Sequence, residues 1–139
     1  MALTSTDPAS GEVPRERLER ELRRTCDRIA TMTLARLTAV TPGVGSSVDA
    51  VRGTAQRLVE IAAGIEGRDA LGPPEPRVLP TLRAHGLADQ LAVTGTDVLL
   101  VSDGLADDVQ VWDHDVRRPL ADVLAEALEA VVALRRALP

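Results

Sequence analysis

Three stretches of the chain set apolar residues at alternating steps of three and four. Val48, Val51, Ala55, Leu58, Ala62 and Ile65 form one; Leu87, Leu91, Thr94, Val98, Val101 and Leu105 form another; Leu120, Leu124, Ala127, Val131, Leu134 and Leu138 form the last. Steps of three and four bracket the 3.6-residue turn, so each series occupies one stripe of an α-helix. Nearer the start, Leu18, Leu22, Cys26, Ile29, Thr33, Leu37 and Val40 fall on one side of a helix that Pro14 is suited to begin, with Arg17, Arg20, Arg24 and Arg28 opposite. The pattern predicts helices over about 14–40, 46–66, 80–102 and 119–138.

The breaks between stripes are equally marked. Thr41-Pro42-Gly43-Val44-Gly45 stops the first helix, and Ser46 or Ser47 can cap the second. Gly67 ends that helix, and Pro73, Pro74, Pro76 and Pro80 make the stretch up to residue 80 an extended, stiff linker. Residues 103–118 lack helical periodicity, and Val109-Gln110-Val111-Trp112 alternates like a short strand. The expected fold is all-α: a four-helix up-down-up-down bundle with one short strand near 109–112. One helical domain spans 14–139, after a tail over 1–13 rich in Ser, Thr, Asp, Gly and Pro. Gly53 and Gly95 lie inside helices, where each costs about 1 kcal/mol relative to Ala, so both are expected at close helix crossings.

Composition narrows the core. Phe and Tyr are absent and Trp112 is the only aromatic, so Leu, Val, Ile and Ala must fill the interior. Trp112 is expected to lay its ring across one end of the bundle with its indole N–H near a polar group. The net charge of −5 and the lack of stacking platforms argue against nucleic acid. All sixteen basic residues are Arg, which reads as codon bias and not as a binding signal. A lone cysteine, Cys26, precludes an intrachain disulfide and suits a reducing, cytoplasmic setting. The first residues do not read as a signal peptide, and no apolar run reaches the roughly 18–20 residues of a membrane span, so no membrane partner is expected.

Residues that carry chemistry are few. Asp103, Asp107, Asp108, Asp113, His114 and Asp115 make an acidic loop dense enough in oxygen to be the candidate metal site, although its spacing is not that of a calcium loop. No catalytic triad, cofactor motif or Glu-x-x-His pair is present. Residues 87–101 resemble the spacing of a helix-turn-helix, in an Ala-x-x-Leu-x-Val-Thr core, yet the would-be recognition helix holds Thr94, Thr96, Asp97 and Asp103 and no cation. Arg36 falls within the apolar sector of the first helix, where it must snorkel or pair. Cys26 reads as a small hydrophobe and His85 as a surface residue.

Val93 and Leu100 lie one heptad apart on the back of the third helix, and Leu128 and Val132 widen the apolar face of the fourth. Helices apolar on more than one side are central or contact another subunit. These four residues are therefore the candidate interface. The reading that follows is a non-catalytic bundle acting through protein contacts as a homo-oligomer, a homodimer in its simplest form, with no cofactor. The alternatives are a small-ligand or metal-binding bundle using the 103–115 loop and, last, a DNA-binding regulator.

Overall fold

The computed structural model describes residues 14–139; the expected tail, 1–13, lies outside the described residues. In chain order the elements are α1 (Pro14–Ala30), α2 (Leu34–Thr38), β1 (Val40–Thr41), β2 (Gly45–Ser46), α3 (Ser47–Glu66), a 3-10 turn (Ala84–Gly86), α4 (Leu87–Ser102), β3 (Gln110–Asp113), β4 (Val116–Pro119) and α5 (Leu120–Ala137). The protein is mainly helical, with two small antiparallel hairpins. The apolar stripes are its core: Leu58, Ile65, Leu91, Val98, Leu124 and Val131 are each at most 2% exposed. Among the described residues no helix is long and apolar enough to cross a membrane.

The first helix is shorter than its periodicity suggests. At its end Met32 N–H bonds the Ile29 carbonyl in a tightened turn, and the Thr31 hydroxyl bonds the Arg28 carbonyl at 2.8 Å. Thr33 then caps α2 by accepting from Arg36 N–H at 3.2 Å. Threonine hydroxyls compete with the helical ladder in this way, and two of them in three residues end it. Thr33, Arg36 and Val40 consequently leave the stripe and are exposed, while Met32 and Leu37 turn inward. Arg36 thus needs no buried partner. The β1–β2 turn uses Gly43 and Gly45 at φ +81° and +94°, and Ser46 caps α3 through Asp49 N–H.

Helix order departs from the expected up-down-up-down path. The Pro-rich linker folds back along α3: Arg77 pairs with Glu66, the Gln56 amide brackets the Arg77 carbonyl and Leu79 N–H, and Arg52 donates to the Leu82 carbonyl. At roughly 3.1 Å per extended residue such a strap can span a helix of α3's length. It delivers the chain to the end where α3 began, so α3 and α4 run in the same direction. Helix α1 runs against α4, with Arg15 at α4's last turn and Leu22 against Gly95. Helix α5 runs against α3, from Arg57–Glu126 to Ala50 and Ala137 around one depression. The principal packing pairs are α3 with α4, α1 with α5, α1 with α4 and α3 with α5. Of the four long helices, α1 and α3 therefore sit on one diagonal and α4 and α5 on the other, while α3 and α4 pack side by side.

The predicted strand is real and has a partner that alternation did not reveal. β3 pairs with β4 in the register Val111↔Arg118 and Trp112↔Arg117, around a two-residue turn with His114 at φ +56°. The hairpin plugs the end where α3 finishes and α5 starts. Val111 is fully buried, and the Val109 and Asp107 carbonyls accept from Leu120 and Ala121 N–H, satisfying donors that α5 would otherwise leave open. Gly64 is the seat of this plug, since a Cβ there would collide with the Trp112 carbonyl. As expected, Trp112 lies across the end: its indole N–H donates to the Ala70 carbonyl at 3.3 Å, and Arg117 covers its ring at 4.7 Å. Of the two glycines expected at crossings, Gly95 meets Leu22. Gly53 faces open space, because it lies on the exposed side of α3.

Candidate functional site

The acidic loop does not converge. Asp103 pairs with Arg15 at 3.4 Å, Asp113 is turned into the bundle, and Asp107, Asp108, His114 and Asp115 lie exposed. Of these residues only Asp113 lies in a strand; Asp103 ends α4, Asp107 and Asp108 precede β3, and His114 and Asp115 form the hairpin turn, which separates the carboxylates that sequence density had grouped. Among the described residues no three His, Cys, Asp or Glu side chains are gathered so as to hold a metal ion.

Asp113 instead joins an ion-pair cluster of residues far apart in sequence. Arg57 of α3 bonds Asp113 at 3.0 Å and Glu126 of α5, and Arg118 of β4 bonds the same two carboxylates at 2.5 and 3.2 Å. The cluster clamps the hairpin to two helices. Burial raises the Asp113 carboxyl, but hydrogen bonds from Arg118 and Arg57 outweigh it and hold its pKa below the ordinary value. The bond from Arg57 likewise lowers Glu126 against a smaller effect of burial. Depressed carboxylates stabilise the fold above their unfolded values near 4 and lose that contribution as pH falls through their folded ones. Asp113→Asn is expected to cost about 2 kcal/mol at pH 7 in urea titrations. The gap to the parent protein should close below pH 4, and a gap that is constant or widens there would contradict the electrostatic account.

A longer feature runs between α1 and α4. Leu22, Cys26 and Arg23 from α1 face Ala92, Thr96 and Leu100 from α4 across an open cleft of about 600 Å³. Gly95 lets the two helices touch at its floor. Arg15 closes one end, donating to the Leu99 carbonyl at 2.8 Å and the Ser102 hydroxyl at 3.2 Å, a cation at a helix C-terminus. Burial, then Asp27 and Asp89, push the Cys26 thiol up to about 11. The thiolate is the reactive form, so an aromatic disulfide reagent at pH 8 should modify Cys26 on the order of a hundredfold more slowly than an exposed cysteine. Reaction at the ordinary rate would show that the thiol is not held in this cleft wall.

Comparison with protein-family models, curated proteins and solved structures finds no match.

Val93 and Leu100 are 60% and 67% exposed on the outer stripe of α4. Neither the linker, which is bound to α3, nor the hairpin, seated at Gly64, lies over them. The α5 half of the expected interface does not join this face. Leu128 is buried, and half-buried Val132 lines a shallow depression with Arg57, Glu126 and Arg136, on the helix diagonal to α4. Residues 87–102 form one unbroken helix, so the helix-turn-helix spacing has no turn to realise it. Sequence reading missed Arg57, Arg118 and Glu126, whose pairing arises only when the hairpin docks. It missed Arg15 for the same reason, because its partners lie more than eighty residues away.

Proposed function

We propose that this chain is a non-catalytic helical bundle that acts through protein contacts as a homodimer, joined across the outer face of α4 and its cleft with α1. The observation that carries the reading is the pair Val93 and Leu100, large aliphatic side chains one heptad apart and left uncovered by their own chain. A two-fold mate would set the same patch of both subunits face to face, with Val93 and Leu100 of each covered by the other. Leu100 of each could then enter the partner's cleft. The lone cysteine favours a reducing, cytoplasmic setting for the dimer.

Leu100→Asp places a charge on the shared patch without touching the core. In sedimentation equilibrium it is expected to raise the dimer dissociation constant at least tenfold, with Val93→Asp doing the same and circular dichroism unchanged. Unaltered self-association in both variants would exclude α4 as the contact.

A further inference from the structure

At the end of the bundle remote from the β3–β4 hairpin, the last turn of α1, α2, the 3-10 turn and the first turn of α4 surround a pocket of about 450 Å³. Ile29, Met32, Leu34 and Leu37 give it aliphatic walls, and Arg83 and His85 are its only polar side chains. The absence of carboxylates has a sequence origin: there is no Asp or Glu from residue 28 to 48, nor from 76 to 88, and these two stretches build the pocket. Asp27 and Asp89 mark the limits of the stretches. In a chain of net charge −5 a pocket lining without a carboxylate stands apart. Arg83 and His85 are exposed and make no ion pair or side-chain hydrogen bond among the described residues. Leu34 is 62% exposed along the same opening.

We propose that this pocket binds one aliphatic carboxylate in monomeric form, its chain against Ile29, Met32, Leu34 and Leu37 and its head group on Arg83 with His85 beside it. The volume lies within the range of small-molecule sites, which pair mostly apolar walls with a few placed polar groups. A guanidinium matches a carboxylate with two parallel hydrogen bonds, and no acid in the lining competes for it. A hydrophilic anion would leave the aliphatic walls wet, and a neutral chain would leave the cations unmatched. The site lies away from Leu100 and does not depend on dimerisation.

The test is calorimetric titration of the full chain with hexanoate, octanoate and decanoate below their micellar concentrations, alongside decanol and decyltrimethylammonium. Methyl resonances of Met32 and Leu34 report the place of binding. Decanoate should bind one per chain and shift those methyls. Its Kd should tighten about three- to fourfold per added methylene across the series, the transfer value of a buried CH2. Decanol should bind at least tenfold more weakly and the cationic chain not at all. Arg83→Gln, a surface change, should bring decanoate to the level of decanol, and Ala88→Leu, which narrows the pocket, should weaken both. Leu100→Asp should leave decanoate binding unchanged. Equal affinity for decanoate and decanol, indifference to Arg83→Gln, or shifts centred on Ala92 and Leu100 would overturn the proposal. So would retention on anionic phospholipid vesicles without one-to-one decanoate binding, which would assign this end to a membrane surface.

Discussion

Gly64→Ala is expected to destabilise the protein by about 3 kcal/mol, the upper part of the range for forcing atoms into a packed site. Elsewhere in a helix the same change is favourable, since alanine is a better helix former by about 1 kcal/mol. The sign reverses here because the added methyl meets the Trp112 carbonyl, and a backbone in a paired strand cannot swing aside as a side-chain tip can. The hairpin must lift, loosening the Trp112–Ala70 hydrogen bond and the clamp at Asp113. Gly53→Ala is the matched control. It lies on the exposed face of the same helix with nothing within 4 Å of the added Cβ, and should stabilise by about 1 kcal/mol. Urea titrations monitored by Trp112 fluorescence check both, with a red shift of native emission expected for Gly64→Ala alone. Equal effects of the two substitutions would contradict the seating of the hairpin on Gly64.

Leu91→Ala should cost about 2–5 kcal/mol, the lost transfer energy of the side chain plus the cavity it leaves. Leu91 is fully buried on α4, a helix that packs against both α1 and α3. Thermal or urea unfolding of the variant measures it directly. A cost below about 1 kcal/mol would show that α4 is not the packed centre assigned to it.

Local signals proved readable where local physics decides the outcome. The stripes through Leu58, Leu91 and Leu124 marked three helices and their buried sides, because burial of one face is all that helical periodicity encodes. The Ser46 cap and the docking of Trp112 could likewise be read from residue type and setting. What escaped depends on contacts distant in sequence. Thr33 continues the apolar spacing of α1 passably, yet its hydroxyl and that of Thr31 end the helix there and release Arg36 and Val40 to solvent. The direction of α4 rests on Gln56 and Arg52 holding the linker along α3, which periodicity in neither segment can announce. β4 was hidden because Val116-Arg117-Arg118-Pro119 has no apolar alternation; only its pairing with Val111 and Trp112 makes it a strand.

Heptad spacing placed Val93 and Leu100 off the main stripe of α4, and both stand exposed. The same reasoning picked Leu128, which packs inside, because a wide apolar face on α5 serves two neighbours, α1 and α3, at once. The acidic loop failed as a site for a different reason. Charge density along the chain says nothing of which side chains a hairpin will turn the same way, and Asp113 was claimed by Arg57 and Arg118.

The proposal of a dimer through α4 is tested most directly by the molar mass of the chain in solution, measured by light scattering on a size-exclusion column at tens of micromolar protein. One chain weighs 14.8 kDa. The account predicts a mass about twice that value for the parent protein, falling to the single-chain value for Leu100→Asp. A single-chain mass for the parent protein at that concentration would contradict it.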